Sequence, residues 1–224
     1  MKVTTDACLF GAWVANEDKG EKIITKNVLD IGTGTGLLSL MYAQKNLSAT
    51  IDAIEIDEEA YRQARENTAA SPFAERINIL HDDVKNFTFS KRYDCIISNP
   101  PFYEKEIRSG NEKKNIAHHH SGMVLEELLT IIKVNLSSPG RFYLLLPFKR
   151  NEEIKKILLK QDLPVSKIVF VNQSTKHSYF RIMISGILKK SQDETLIEEI
   201  SIWDDQQQYT KEFKELLADY YLYL

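Results

Sequence analysis

The sequence predicts an α/β fold, with a mostly parallel twisted sheet, helices on both faces and an antiparallel C-terminal edge. Short apolar runs alternate with helical patterns through the first two thirds of the chain, which is typical of a parallel sheet. Two longer strand patterns near residues 165–188 then follow each other without a helix between them. With 224 residues, 43% hydrophobic and 27% charged, the chain is neither a disordered polymer, a collagen-like repeat nor a disulfide scaffold.

Each element has its own signal. Short apolar runs bounded by turn or polar residues predict buried strands over 27–31, 50–54, 77–80, 93–98 and 141–146. Helical patterns lie between them, over 36–45, 58–69 and 124–135. The segments 165–171 and 179–188 predict an antiparallel pair, 196–203 adds one more strand, and 210–222 predicts a terminal helix.

Neither an internal repeat nor a linker composition divides the chain. We expect a single domain over 1–224, with 1–24 as an N-terminal cover segment, 25–190 as the core and 191–224 as a C-terminal strand and helix. The segment 103–121 is polar and charged, and predicts a long mobile loop. Its histidine run, 118–120, has no cysteine or carboxylate cluster at metal-site spacing, so we expect a cationic or base-stacking loop and no metal.

The composition also predicts a location. Apolar stretches stay below the roughly 18 residues that a transmembrane helix requires, and the N-terminus lacks an apolar signal core. Cys8 and Cys95 lie far apart, and we expect free thiols in a reducing compartment. We therefore expect a cytoplasmic protein without membrane contact, and we also expect a monomer.

A glycine-rich turn follows the first predicted strand. Asp30 precedes Gly32, Thr33, Gly34 and Gly36, a G-x-G-x-G pattern that runs into a helix. Dinucleotide-binding turns prefer G-x-G-x-x-G, which places a pyrophosphate at the helix N-terminus. An anion here would face the Asp30 carboxylate, so a cationic ligand fits better. S-adenosylmethionine carries a sulfonium and an ammonium, and it is the cofactor that we expect.

Acidic residues end the next two predicted strands. Glu55 ends the second strand, where a carboxylate can accept ribose hydroxyls, and the adjacent Ile56 joins the expected cofactor contacts. Asp57 is better explained as a helix cap. Asp82 and Asp83 end the third strand, where a side chain could accept a hydrogen bond from the adenine amine, or where the pair could form a plain turn.

The fourth predicted strand leads directly into Asn99, Pro100, Pro101 and Phe102. Two consecutive prolines stiffen this turn, so the Asn99 side chain and the Pro100 carbonyl can be aimed at one point. Two acceptors there would bind both N–H bonds of a conjugated amine and favour a nitrogen lone pair that faces an electrophilic methyl group. Phe102 would stack on the planar base. We interpret these residues as the catalytic site, with Asn99 also close to the cofactor.

Charge is strongly segregated along the chain, although the net charge is only −3. Residues 141–190 carry 11 Lys and Arg against 3 Asp and Glu, whereas residues 191–224 carry 2 against 9. The basic region could bind a phosphate backbone. The alternative is that its side chains are solvated or pair with the acidic tail.

Together, the turn 30–36, Glu55, Asp82, Asp83 and the turn 99–102 resemble the Rossmann-like class I methyltransferases that act on amino groups. Further stretches resemble the bacterial valine-tRNA adenine-37 N6-methyltransferase family: residues 1–13, 117–119 leading into 125–128, 179–181, and 209–213 through 221–222. Two features depart from the family pattern, because family members usually carry a strand-rich segment before the opening motif and commonly have arginine at position 118.

The resemblance implies N6-methylation of an adenine beside the anticodon of one tRNA, with S-adenosylmethionine as donor. Asn99 and Pro100 would bind the amine, Phe102 would stack, and Thr5 and Asp6 would belong to the cover over the cofactor. The expected tRNA contacts are Phe102, His118, His119, Lys149, Arg150, Lys176 and Arg181.

Other functions remain open. A protein methyltransferase acting on a glutamine side chain, as in a release factor, would use a similar Asn-Pro-Pro-aromatic turn on another planar amine. N-methylation of a base in ribosomal RNA is a further alternative. A different class is an RNA-binding module that holds the cofactor without catalysis. The basic region favours the tRNA interpretation over the protein substrate.

Overall fold

The computed structural model describes residues 3–19, 25–101, 124–188 and 194–223. Its strands are β1 Asn27–Ile31, β2 Thr50–Glu55, β3 Ile77–His81, β4 Tyr93–Ser98, β5 Leu136–Pro147, β6 Val165–Ser174, β7 Tyr179–Ile187 and β8 Leu196–Trp203. Its helices are α1 Thr5–Lys19, α2 Leu37–Lys45, α3 Glu58–Ala69, α4 Leu125–Asn135, α5 Asn151–Lys160 and α6 Lys211–Leu217. Two short 3-10 turns cover Ala74–Arg76 and Phe148–Arg150.

The eight strands form one sheet in the order β3-β2-β1-β4-β5-β7-β6-β8. Strands β1 to β5 pair in parallel, and β6 pairs in parallel with β8. Only β7, among the described strands, runs the other way, antiparallel to both β5 and β6. The predicted fold class, with its antiparallel C-terminal edge, is confirmed. The sheet continues across residue 190 through β8, and the division of the chain at that residue stays a prediction.

Apolar residues on the two faces of the sheet build two hydrophobic layers. Alternate residues of β5 point to opposite faces, so Tyr143 and Leu145 pack in one layer while Leu144 and Leu146 pack in the other. The first layer contains α1, α2 and α6, and the second contains α4 and α5. Because all the parallel strands end at the same edge, this packing brings the loops that follow β1, β2, β3 and β4 to one rim of the sheet.

Two helices are not among the elements predicted above. Residues 7–15 of α1 are buried all round, so the helix lacks the polar face that gives a periodic pattern. Helix α5 does carry such a pattern, since Ile154, Ile157 and Leu158 are buried at helical spacing. Its charged residues belong to the basic region, and the exposure of Lys156 and Lys160 agrees with the alternative that part of this region is a solvated helix face.

The terminal helix is shorter than predicted. Thr210 caps α6, because its side-chain oxygen accepts a hydrogen bond from the Phe213 backbone N–H at 3.3 Å. After Leu217 the chain is held by α2 instead: the Tyr220 hydroxyl donates to the Met41 carbonyl at 3.1 Å, and Lys45 pairs with Asp219. These contacts replace the last turns of the predicted helix. Within the described part of the chain, helices are too short or too polar to cross a membrane.

Two glycine-to-alanine substitutions, one in β7 and one in α1, test the packing against the sheet. A Cβ at Gly186 in β7 would lie 2.3 Å from Phe142 Cζ and 2.5 Å from the Pro164 carbonyl oxygen, so Gly186→Ala should lower the free energy of unfolding by about 1–3 kcal/mol. At Gly11 in α1 the Cβ would lie 2.7 Å from the flexible thioether of Met41. Gly11→Ala also gains helix propensity, so it should change stability by less than about 1 kcal/mol. Urea unfolding of both variants would contradict this packing if Gly11→Ala were the more damaging.

Candidate active site

Three loops meet at the rim of the sheet around the end of β1. Ile31, the last residue of β1, is the register partner of Ile54 in β2 on one side and of Ser98 in β4 on the other. The glycine turn therefore lies between the loop that contains Glu55 and the loop that contains Asn99. Ligands of open parallel sheets bind outside the carboxyl ends of the strands.

The glycine turn adopts a conformation that explains its composition. Gly32, Gly34 and Gly36 all have left-handed backbone angles, with φ values of 70°, 59° and 83°. Such angles are costly for residues that carry a Cβ. A Cβ at Gly32 would meet no atom within 4 Å, so the backbone angle, and not crowding by the protein, calls for glycine there. The space beside Gly32 is open to a ligand.

Asp30 lies fully buried beneath this turn. Its Oδ2 accepts hydrogen bonds from the Thr33 hydroxyl at 2.6 Å and from the Ser39 hydroxyl at 2.7 Å, whereas its Oδ1 is buried without a partner. Burial raises the pKa of Asp30 to about 6; the two hydrogen bonds oppose this, and the nearby Glu55 charge adds to it. A buried carboxylate oxygen without a partner, close to open space, fits a cationic ligand group.

Glu55 fixes the turn from the neighbouring strand. Its Oε2 accepts from the Gly34 backbone N–H at 2.8 Å, and its Oε1 accepts from the N–H groups of Ile56 and Asp57 at 2.9 Å each. A carboxylate has about four lone-pair positions. Three are used, so one hydroxyl can bind at Oε2 without breaking a bond, and the role of Glu55 in accepting ribose hydroxyls stays a prediction.

The two residues after Glu55 have different environments: Ile56 is exposed, and Asp57 caps a helix. Ile56 is 63% exposed, an unusual position for a large apolar side chain next to a crevice. The Asp57 side chain accepts from the Ala60 backbone N–H at 2.8 Å at the start of α3, so its predicted role as a cap is confirmed.

The acidic pair after β3 is partly a turn. Asp83 Oδ1 accepts from the Lys85 backbone N–H at 3.0 Å, so this side chain is committed to the loop. Asp82 is exposed and its Oδ1 accepts only a local bond, from the Asp83 backbone N–H at 2.7 Å. Of the two predicted adenine contacts, Asp82 therefore has the larger spare acceptor capacity.

The loop after β4 is tied to the glycine turn. Ser98 is buried and its hydroxyl donates to the Ile31 carbonyl at 2.8 Å. Pro100 is buried, Pro101 is exposed and Asn99 is half-buried. Among the described residues, none forms a hydrogen bond with the Asn99 side chain, so its amide is available to a ligand. Phe102, His118 and His119 lie outside the described residues.

The predicted cover residues contact a predicted tRNA residue. Asp6, in the first turn of α1, accepts from Arg181 Nε at 2.7 Å, and its side chain is only 13% exposed. Burial alone would raise the pKa of Asp6, but hydrogen bonds from Thr4 and Arg181 and the Arg181 charge lower it overall. Thr5 is exposed beside Asp6. The ion pair joins the start of α1 to β7.

Several cations of the basic region have acidic partners in the structure. Arg150 makes two hydrogen bonds to Glu153, at 2.8 and 2.6 Å, and Lys167 lies 2.9 Å from Glu17 and 3.2 Å from Glu198. The alternative of pairing with the acidic tail is confirmed for Lys167. Lys149 and Lys176 are exposed, and Lys176 Nζ lies 3.5 Å from the Asp205 carbonyl oxygen. Across the described ranges, His, Cys, Asp and Glu side chains form no group that could hold a metal ion.

Two serines that position the site were not among the predicted residues. Ser39 binds Asp30 from the first turn of α2, and Ser98 joins β4 to β1. The position of Ser39, one helical turn after Gly36, is a signal that could have identified it, since side chains at this spacing face the start of the helix.

Comparison with known proteins adds two findings. The model of the family described as "Methyltransferase small domain" matches residues 16–155. A tRNA1(Val) (adenine(37)-N6)-methyltransferase from Dyadobacter fermentans is 40% identical to this chain over 225 residues, which cover 99% of this chain and 91% of that relative.

Solved structures share the fold at low identity. A predicted O-methyltransferase from Agrobacterium tumefaciens has a TM-score of 0.70 and 16% identity, covering 93% of this chain and 94% of its own. A glycopeptide N-methyltransferase complexed with (S)-adenosyl-L-methionine has a TM-score of 0.57 and 13% identity, covering 80% of this chain and 88% of its own. At these identities the likeness shows the fold alone.

Asp30 yields a test with opposite effects on stability and binding. Because its pKa rises from 3.8 to about 6 on folding, ionisation opposes the folded state, and stability is lost as pH rises from about 4 to about 6. Asp30→Asn should therefore gain stability over the wild type across this window, by up to about 3 kcal/mol at pH 8. Its affinity for S-adenosylmethionine should fall about tenfold or more. Urea unfolding from pH 4 to 8 and calorimetry check both; a stability difference that stays constant with pH would contradict the expectation.

Proposed function

The chain belongs to the methyltransferase small domain family and, within it, to the tRNA1(Val) (adenine(37)-N6)-methyltransferases, and from this premise we propose that it methylates N6 of adenine 37 in valine tRNA. S-adenosylmethionine is the methyl donor. The substrate in this proposal is the one that the relatives' names state, and the tRNA is its macromolecular partner. We further propose that the protein acts in the cytoplasm as a monomer.

The observation that carries the proposal is the adjacency of two loops. The glycine turn, which follows the unpartnered Asp30 carboxylate oxygen at the end of β1, and the loop with the unbound Asn99 amide follow neighbouring strands. The Ser98 hydroxyl binds the Ile31 carbonyl at 2.8 Å and fixes the two loops relative to each other. A cationic donor and a planar amine can therefore be held next to each other, which is what methyl transfer requires.

The residues present fit the cofactor. When bound, S-adenosylmethionine supplies an electrophilic methyl group on a positively charged sulfur. Asp30 Oδ1 lacks a partner and offers a negative charge to the cationic end of such a ligand. Glu55 retains capacity for a hydroxyl at Oε2, and Ile56 presents an exposed apolar surface beside it. Asp82 can accept a hydrogen bond from an exocyclic amine.

The Asn99 loop acts on the nucleophile. The lone pair of an aromatic amine is delocalised into the ring, so the amine is a weak nucleophile. Acceptance of its two N–H bonds by Asn99 Oδ1 and the Pro100 carbonyl favours a pyramidal nitrogen whose lone pair points away from the ring. The nitrogen becomes acidic once it is alkylated and can release its proton to water, so the loop needs no general base.

Nucleoside mass spectrometry of tRNA, after incubation with the protein and S-adenosylmethionine, tests the proposal. We expect N6-methyladenosine at position 37 of valine tRNA. Asn99→Ala should lower kcat by about 10²–10³-fold, because it removes one of two preorganised acceptors.

Asn78→Ala is the matched control. Asn78 lies in β3, away from the glycine turn, and its side-chain nitrogen donates to Asp52 Oδ1 at 3.1 Å. The kcat of this variant should therefore stay within about twofold of the wild type. Label that enters a release factor and not tRNA would instead support glutamine methylation. An unchanged rate in Asn99→Ala would remove the proposed role of this loop.

Salt dependence distinguishes Lys176, whose Nζ contacts a backbone carbonyl, from Lys155, which forms an ion pair with a carboxylate. Binding of tRNA should weaken with salt, and Lys176→Gln should reduce the slope of log K against log salt by about 0.7–0.9 if Lys176 contacts one phosphate. Lys155→Gln should leave the slope unchanged, because Lys155 lies 3.2 Å from Glu152 and is already paired. Filter binding between about 50 and 200 mM salt measures the slope for both variants. Equal reductions in the two variants would argue against a specific phosphate contact at Lys176.

A further inference from the structure

Three aromatic rings form a cluster at the rim of the sheet, outside the residues assigned to methyl transfer. Phe148 lies 5.1 Å from Tyr179 and 5.6 Å from Phe170 between ring centroids, and Phe170 stacks on Tyr179 at 5.0 Å. All three rings are half-buried, so part of the cluster reaches the surface. We call these three residues the rim cluster.

The rim cluster lies beside the Asn99 loop. Ser98, the last residue of β4, is the register partner of Leu144 in β5, and adjacent strands lie about 4.8 Å apart, so the Asn99 loop starts beside the last residues of β5. Phe148 follows β5 by one residue. Tyr179 starts β7, which pairs with β5 through Pro147 and Arg181. The antiparallel direction of β7 is what brings Tyr179 to this rim.

The hairpin that carries Tyr179 is well ordered by its own hydrogen bonds. His177 Nδ1 lies 2.6 Å from the Ser174 hydroxyl, and the His177 carbonyl accepts from Asn172 Nδ2 at 2.8 Å. The Tyr179 hydroxyl is held by Glu199 of β8. These bonds fix the ring of Tyr179 before any ligand arrives, which lowers the entropic cost of stacking on it.

The charge around the rim cluster suits RNA. The exposed Lys149 follows Phe148 directly, and the exposed Lys176 lies at the tip of the hairpin. Another aromatic stack, formed by Trp203 and Tyr209 at 4.1 Å, is adjacent to Asp204 and Asp205, whose charges repel phosphate. Acidic residues also lie near the rim cluster, since Glu199 holds the Tyr179 hydroxyl and the Asp205 carbonyl accepts from Lys176. What favours the rim cluster of these two aromatic surfaces is its place beside the Asn99 loop.

We propose that Phe148 and Tyr179 form a stacking platform for an unpaired base of the tRNA anticodon loop, next to the adenine that is methylated. Single-stranded RNA is recognised mainly through bases that stack on aromatic side chains. A platform at the rim ends of β5 and β7, one and two strands from β4, would hold the neighbouring base and so direct the target adenine into the site. The proposal rests on the proposed function, because it takes the anticodon loop as the substrate.

Fluorescent stem-loop RNAs test the platform without methyl transfer. The probes carry the valine anticodon loop with 2-aminopurine at each unpaired position in turn, and stacking on an aromatic side chain quenches this base. We expect the wild type to quench at least one position. Tyr179→Leu and Phe148→Leu should each abolish that quenching and weaken binding by about 5- to 150-fold, the range of one base–aromatic stack.

Phe89→Leu is the matched control. Phe89 is also half-buried, and its ring centroid lies 5.4 Å from that of Tyr93, at the start of β4 and so at the end of the sheet opposite to the rim. It should keep both quenching and affinity. Two Leu variants are used so that a folding defect in one leaves the other as the test, with affinity for S-adenosylmethionine as the check on the folded site.

The outcomes separate the two proposals. Failure of the wild type to quench at any position, or quenching that persists in both Leu variants, would overturn the platform while methylation of tRNA by the wild type still stood. Absence of methylated tRNA with the wild type would overturn the proposed function itself.

Discussion

Two carboxylates hold the glycine turn at the rim of the sheet, and the remaining geometry of the site depends on them. Glu55, at the end of β2, accepts a hydrogen bond from the Gly34 backbone N–H. Asp30, buried beneath the turn, accepts from the Thr33 and Ser39 hydroxyls. The turn is thus fixed between two negative charges at close range, a costly arrangement in a buried environment. The pKa of Asp30 is raised chiefly by burial, and the Glu55 charge adds to the rise. Functional sites commonly retain such strain because a bound ligand relieves it.

Much of the site could be predicted because its signals are local in the sequence. The left-handed glycines, the Asp57 cap and the turn after β4 each depend on a few consecutive residues whose backbone preferences are strong. Most strand boundaries followed in the same way, and Tyr93–Ser98 and Leu196–Trp203 agree with the predicted ranges, but β5 starts at Leu136 and not at the predicted residue 141. Cofactor chemistry could be inferred from the same short stretches.

Other parts could not be predicted because they depend on contacts between distant segments. Asp6 and Arg181 are 175 residues apart, and nothing in either local sequence indicates the ion pair. The same is true of the rim cluster, which β7 completes by entering the sheet between β5 and β6. Charge counting along the chain could not show which basic residues have acidic partners, for a related reason. Arg150 and Lys155 pair with glutamates three residues away, on the same helical turn, so their positive charge is mostly cancelled at the surface.

The reversal of β7 has a consequence for how enzymes of this shape can diversify. A parallel strand in this position would return to the rim through a helix packed on the core, whereas the β6–β7 connection is a short polar tip held by its own bonds and by hydrogen bonds to Trp203 and Asp205. Surface tips accept insertions and changes of composition far more readily than packed helices. The sequence of this tip, and with it the selectivity for one nucleic acid over another, can therefore change during evolution, while the half of the sheet that holds the donor and the amine stays constant.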